Sequence, residues 1–208
     1  MPVELVTTAG IFALDGGEWE VTNNIWLIGD DREVTVIDAA HNHAPIVRAI
    51  NGRHVRAIVL THGHNDHINA AGALSDVVDA PIYLHTDDRM LWDVVYPDRA
   101  PDRELVPGSS LTSAGIRIGV LHTPGHSPGC CCLHAPSEGV VFSGDTLFCG
   151  GPGATGRSYS NYPTIVESIR AKLLTLPGHT VVHTGHGDST TIGAEAPALA
   201  EWLAAIEK

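Results

Sequence analysis

An α/β sandwich, with two mixed β-sheets and helices outside, is the fold class this sequence predicts. Short apolar or alternating runs recur along the chain, bounded by Gly/Asp turns. Helical stretches alternate with them: strands, helix, strand, helix, strand, helix, then the same alternation again. That order builds mixed sheets covered by helices. The length of 208 residues, at 43% hydrophobic and 17% charged, leaves ample material for a core, and one domain over residues 1–208 is expected.

The elements follow in order. Gly10–Leu14, Asn24–Ile28 and Val34–Asp38 read as early strands, separated by turns at Asp15-Gly16-Gly17 and Gly29-Asp30-Asp31. Ala44–Ile50 reads as a helix with Pro45 in its first turn, where a missing N–H costs nothing. Ala57–Leu60 is a buried strand, and a helix weakened by Gly72 opens over His67–Ala73. Pro81–His85 is a strand, and Thr86 caps a short helix to Trp92. Tyr96–Ser110, with three prolines and mixed charges, is a surface connection and not a domain boundary. Ile116–Leu121, Gly129–His134 and Gly139–Phe142 are three more strands, and Gly150–Tyr162 is a Gly-rich loop. Pro163–Leu176 is an amphipathic helix, Thr180–His183 a strand and Ala194–Glu207 a final helix.

The formal net charge is −12, from 12 Lys+Arg against 24 Asp+Glu. That balance disfavours nucleic acid as a partner. No apolar run approaches the roughly 18 residues of a membrane span, and the first residues carry no secretory signal. A cytoplasmic protein without a membrane partner is expected. Cys130, Cys131 and Cys132 are consecutive and Cys149 stands apart. No C-x-x-C spacing exists, so these read as small buried hydrophobes in a reducing compartment.

Chemistry collects where apolar strands end. Ala57–Leu60 is followed by Thr61-His62-Gly63-His64-Asn65-Asp66-His67, and Ile116–Leu121 leads into Thr123-Pro124-Gly125-His126. Val140–Phe142 is followed by Ser143-Gly144-Asp145-Thr146, and Thr180–His183 by Thr184-Gly185-His186. A buried strand wants apolar residues and a surface turn has no need for imidazole, so the His-x-His-x-Asp-His spacing suggests metal ligation. Imidazole nitrogen and carboxylate oxygen suit zinc, iron or manganese. Asp38 ends a strand near the first histidines and is placed to orient a ligand imidazole. His41, His43, His54, His85, His122, His134, His179 and His183 are read as non-catalytic.

H-x-H-x-D-H followed by spaced His, Asp and His closely resembles the metallo-β-lactamase superfamily over nearly the whole chain. Within it, the stretch Gly144-Asp-Thr-Leu-Phe148 and the later Gly156-Arg157 resemble the glyoxalase II-like (hydroxyacylglutathione hydrolase-like) thioester hydrolases. The chain looks like the short actinobacterial members, which implies a thiol carrier such as mycothiol. Only about one helix follows His186, whereas enzymes acting on glutathione thioesters often carry a helical C-terminal extension. The resemblance implies a four-layer αβ/βα sandwich of two mixed β-sheets, with the metal site at one edge between them. It implies that His62, His64 and His126 hold one divalent metal, that Asp66, His67 and His186 hold a second, and that Asp145 bridges both. Zinc is the first expectation for the two ions, with iron or manganese as alternatives.

The reaction expected is hydrolysis of a small-molecule thioester by a metal-bridging hydroxide that Asp66 orients. A thiol of pKa about 8.5 leaves as thiolate without an obligatory acid, whereas an amide nitrogen needs protonation. Arg157 is a candidate for binding a substrate carboxylate, or braces its loop. Tyr159 and Tyr162 are candidates for lining the same mouth. The alternatives are a mononuclear iron persulfide dioxygenase using His62, His126 and Asp145, and a lactone or ester hydrolase.

Overall fold

A computed structural model of the chain describes residues 3–206. The first sheet has the order β1 (Val3–Leu14), β2 (Gly17–Gly29), β3 (Glu33–Ile37), β4 (His54–Val59), β5 (Ile82–Leu84) and β6 (Arg103–Glu104). Its first three strands pair antiparallel and its last four parallel. The second sheet draws on β7 (Ser110–Ser113), β8 (Ile116–His122), β9 (Cys131–Ala135), β10 (Val140–Gly144), β13 (Val181–Thr184) and β14 (Thr190–Thr191). Their order across it is β14-β13-β10-β9-β8-β7, and it is also mixed. A ribbon of β11 (Leu147–Phe148) and β12 (Gly151–Pro152) lies beside it. The helices are α1 (His43–Ile50), α2 (Asn65–Ile68), α3 (Ala71–Val78), α4 (Arg89–Val95), α5 (Tyr162–Ser168), α6 (Ile192–Glu195) and α7 (Leu199–Ile206).

Period-two alternation sorts each strand's side chains between layers. On β2, Trp26 and Ile28 enter the core between the sheets, while Ile25 and Leu27 meet the helices outside. On β9, Cys131 and Leu133 face the inter-sheet core and Cys132 faces the opposite helices. Outside the first sheet, Ile46 of α1, Leu74 of α3 and Trp92 of α4 complete one layer. Outside the second, Ile165 and Val166 of α5 and Trp202 of α7 complete the other. The result is the four-layer αβ/βα sandwich. Cys130, Cys131 and Cys132 are free and buried, and Cys149 is free and exposed.

Several expected elements change at their ends. The first two strands are much longer and form a hairpin registered from Val3↔Ile28 to Leu14↔Gly17. Its two-residue Asp15-Gly16 turn has φ 54° and 75°, the doubly positive geometry of a type I′ turn. Glu18–Thr22 alternates polar and apolar residues as a strand does, but its apolar members Trp19 and Val21 are not buried in either core. The helix expected over His67–Ala73 is instead the pair α2 and α3. The amphipathic stretch from Pro163 is α5 followed by a π-helical turn at Ile169–Leu173. The final helix is broken at Ala196–Ala198, where Pro197 lacks an N–H, into α6 and α7. Glu207, its expected last residue, lies outside the described residues. The connection from Tyr96 contains β6, and the Gly-rich loop contains β12.

Candidate metal centre

Strand direction gathers the chemistry. β8 and β10 both run antiparallel to β9, and β13 runs parallel to β10, so β8, β10 and β13 end at one edge. The end of β4 is tied to that edge, because Cys131 N–H donates to the Thr61 carbonyl at 2.8 Å. Four loops far apart in sequence therefore meet. Close approach requires glycine at two points. A Cβ on Gly185 would collide with Asp145 Oδ1, and one on Gly144, itself at φ +48°, would collide with the Thr61 hydroxyl.

His62, His64 and His126 form one triad, with His62 Nε2 3.1 Å and His126 Nε2 2.9 Å from His64 Nδ1. Asp66, His67 and His186 form a second. In it His67 Nε2 lies 3.2 Å from His186 Nε2 and 3.6 Å from Asp66 Oδ2, and His186 Nε2 is 3.3 Å from Asp66 Oδ2. Asp145 stands between them: its Oδ1 is 3.3 Å from His67 Nε2 and its Oδ2 3.5 Å from His126 Nε2 and from His186 Nε2. Tetrahedral bonds of about 2.0–2.1 Å separate neighbouring donors by roughly 3.3 Å, so these spacings suit metal ions.

The outer ring nitrogens point the same way. His126 Nδ1 is held by the Ala154 carbonyl at 2.7 Å, His186 Nδ1 by the Thr22 carbonyl at 2.8 Å and His67 Nδ1 by Asp38 Oδ2 at 3.0 Å. Each acceptor fixes a ring proton outside and aims Nε2 inward. Asp66 Oδ1 and Asp145 Oδ1 are buried without any hydrogen-bond partner. Orphaned buried carboxylate oxygens are costly without cations, and the ring nitrogens aimed at them are metal-ligand atoms, so this donor set fits two metal ions.

Electrostatics divides the triads. Burial and neighbouring histidines push His62 well below its ordinary value, and burial with His126 pushes His64 down to about 3. Burial also opposes charge on His186, yet Asp145 and Asp66 hold it up at about 10, and His67 is raised for the same reason. Burial resists ionisation of Asp66 as well, but His67, with hydrogen bonds from His186 and Asn23, holds its carboxyl down at about 2. Asp145 is likewise held well below the usual carboxylate range by His67 and His186 against its burial. Both carboxylates are thus charged and attract cations.

Asp38 takes the orienting position expected of it. At φ 59°, an uncommon conformation outside glycine, it accepts from Thr61 N–H and Oγ1, both at 2.7 Å, and from His67. Three further groups were not legible in the sequence. Asn23 donates to Asp66 Oδ2 at 3.0 Å and is itself held by His41 Nε2 at 2.8 Å. Asp88 is fully buried and accepts from Gly63 N–H, Ser127 Oγ and Gly129 N–H at 2.6–2.7 Å, tying together the loops that carry His62, His64 and His126. Burial raises the Asp88 pKa against those hydrogen bonds. The third group is the outer part of the β1–β2 hairpin, whose Phe12, Leu14, Trp19 and Val21 wall a cavity of about 210 Å³ over the cluster. Two adjacent asparagines, Asn23-Asn24, ahead of an apolar run were the one sequence signal available.

Arg157 lines that cavity. Its guanidinium stacks 3.6 Å above the Trp19 ring and 5.2 Å from Phe12, and its Nη1 is buried without a partner. Tyr159 and Tyr162, expected at the same mouth, do not line it. Tyr159 adopts φ +68° and turns outward, 55% exposed, while Tyr162 opens α5 and packs against the outer helical core. Ser158 and Ser160 face the cavity in their place.

Comparison with known proteins agrees with this geometry. The chain is 32% identical over 189 residues to hydroxyacylglutathione hydrolase GloC of Haemophilus influenzae, covering 82% of this chain and 87% of that protein. The structure of BLEG-1 B3 metallo-beta-lactamase superposes with a TM-score of 0.78 at 30% identity, covering 91% of this chain and 97% of that one. The structure of TTHA1623 in a di-iron-bound form superposes with a TM-score of 0.77 at 33% identity, covering 85% and 93%. With a His/Asp cluster at the sheet edge and a superfamily profile that matches residues 19–186, the chain belongs to the metallo-beta-lactamase superfamily.

Proposed function

We propose that this member of a superfamily of metal-dependent hydrolases cleaves thioesters of low-molecular-weight thiols, in the manner of glyoxalase II. His62, His64 and His126 would hold one zinc ion and Asp66, His67 and His186 a second, with Asp145 placed to contribute to both. The observation that carries the reading is the composition of the cavity. Asp66 and Asp145, its only acids, are both held ionised by the histidines around them. An amide nitrogen would leave without a proton donor, whereas a thiolate needs none.

Two divalent cations bound there supply Lewis acidity and a water of lowered pKa. The protein does the rest. The unpaired Asp66 Oδ1 accepts a hydrogen bond from the attacking water and orients it. Arg157 Nη1 pairs with an oxygen of the acyl group. The Phe12 and Trp19 rings keep bulk water from the reacting carbonyl. The carbon–sulfur bond breaks to give a carboxylate and a thiolate, which takes its proton from solvent. Four free cysteines suit a cytoplasmic setting.

A mononuclear iron oxygenase built on His62, His126 and Asp145 would leave Asp66 Oδ1 and the inward lone pairs of His67 and His186 without a purpose. The test is a thioester panel that includes α-hydroxyacyl thioesters, run on zinc-loaded protein with and without oxygen. Equal thiol release in both atmospheres, with label from heavy-oxygen water in the carboxylate, is expected. Oxygen uptake with a low-molecular-weight persulfide, while every thioester stays intact, would overturn the reading.

A further inference from the structure

The hairpin that walls the cavity has a free edge. Leu14 and Gly17 close its two-residue turn, so Phe12 and Leu14 bond to β2 while Ile11 and Ala13 turn their N–H and C=O outward. One side chain meets that edge in register. Asn65 Nδ2 donates to the Ile11 carbonyl and Asn65 Oδ1 accepts from Ala13 N–H, both at 2.8 Å. A carboxamide offers one face with a donor and an acceptor, as a neighbouring strand does. Asn65 is the first residue of α2 and stands between His64 and Asp66. The segment that supplies ligands to both triads thus also carries the hairpin.

Between the two bonded residues lies Phe12. Its ring makes a T-shaped contact with His64 at 5.3 Å and meets Trp19 at 5.6 Å. Trp19 in turn carries the Arg157 guanidinium on its face at 3.6 Å. Arg157 Nη1 has no hydrogen-bond partner, so the Trp19 face sets where that nitrogen lies. At the tip, Asp15 Oδ2 accepts from Ser158 N–H at 3.0 Å, which joins the hairpin to the Arg157 loop but not to the loop of His64. We propose that Asn65 is a positioning residue for substrate recognition. Its amide sets the height of the hairpin over the cluster and, through Phe12 and Trp19, the place of the Arg157 guanidinium. The kinetic consequence rests on the reading of Arg157 as the partner of the acyl group. The amide is committed to β1, so its removal spares the metal ligands.

The experiment compares the zinc-loaded full chain with two variants. Asn65→Ala removes both bonds and keeps a good helix former in α2. Ala13→Pro deletes the N–H from the other partner, at an edge position where proline is tolerated. Metal content by elemental analysis should match the wild type in both. Hydrogen exchange over residues 10–21, read by mass spectrometry, should speed about 3- to 10-fold, the worth of one neutral hydrogen bond, with β3 and β4 unchanged. Phenylglyoxal should modify Arg157 faster by a similar factor, located by peptide mass. With a cleaved thioester, KM should rise about 3- to 10-fold at nearly constant kcat. Both substitutions should add little to KM when Arg157 is already alanine. Hairpin exchange or Arg157 modification at the wild-type rate in both variants would overturn the proposal. So would a drop in metal content in both, or a KM penalty undiminished in the Arg157→Ala background. Failure of every thioester would sink the hydrolase reading alone, because exchange and modification still judge Asn65.

Discussion

The two triads of the central cluster share Asp145 and are built on opposite electrostatic plans. The first is three imidazoles, all nearly buried, with His62 and His64 too poor as bases to hold a proton near neutrality. The second places His67 and His186 beside Asp66 and Asp145, and the carboxylates raise both rings. In the metal-free chain His67 and His186 therefore carry extra protons where His62 and His64 have bare lone pairs. A cation enters the first without displacing anything, but exchanges with protons at the second.

Asp145, the carboxylate between the two triads, is where this comparison is most easily broken. Asp145→Ala should empty both triads and lower hydrolysis by more than about 100-fold, beyond the range of an outer-shell partner. Loss of one metal only, by elemental analysis, would show that Asp145 serves a single half.

Acid should separate the halves. His186 is held at about 10 in the metal-free chain, so below that pH each displaced proton weakens the second site about tenfold per pH unit. In the first site His62 and His64 keep neutral rings to far lower pH, with His64 held down at about 3. Dialysis of loaded protein at successively lower pH should release one equivalent before the other. His186→Ala should hold one equivalent at every pH in that series, and simultaneous release of both from the wild type would remove the distinction.

Asp38→Asn tests the outer support of the second half. It weakens the acceptor on His67 Nδ1 and should lower metal affinity by about 10- to 100-fold at that half alone. Competition with a chelator of known affinity reads the difference. Arg157→Ala lies outside both halves. It should leave metal content unchanged and cut kcat/KM by about 10- to 100-fold, mainly through KM, the worth of one charge-assisted hydrogen bond.

How much of this was legible in sequence follows from what each feature depends on. Five of the seven cluster residues, His62, His64, His126, Asp145 and His186, stand beside Gly just past apolar strands, and Asp66 and His67 follow His64 within three positions, so local pattern and spacing suffice to find them. The alternation of Cys131 and Cys132 between two cores is equally local, a matter of pleat. The hairpin over the site is different, because Glu18–Thr22 alternates like a strand, but what its Trp19 and Val21 cover is set only by the fold. Tyr159 and Tyr162 were misplaced because loop orientation depends on φ at single residues. Asn23, His41 and Asp88 act across 18 to 43 positions of chain, through contacts that only the folded sandwich creates.

Asp88 also bears on when the metal arrives. Three hydrogen bonds to one buried carboxylate set the spacing of the loops that carry His62, His64 and His126. The cradle is therefore rigid as soon as the sandwich closes, unlike small zinc domains that order only around their ion. Ion uptake then demands little loss of chain entropy, and ion loss does not unravel the chain. A chain built this way is expected to stay folded when stripped of its ions, so metal removal should leave its far-UV circular dichroism unchanged.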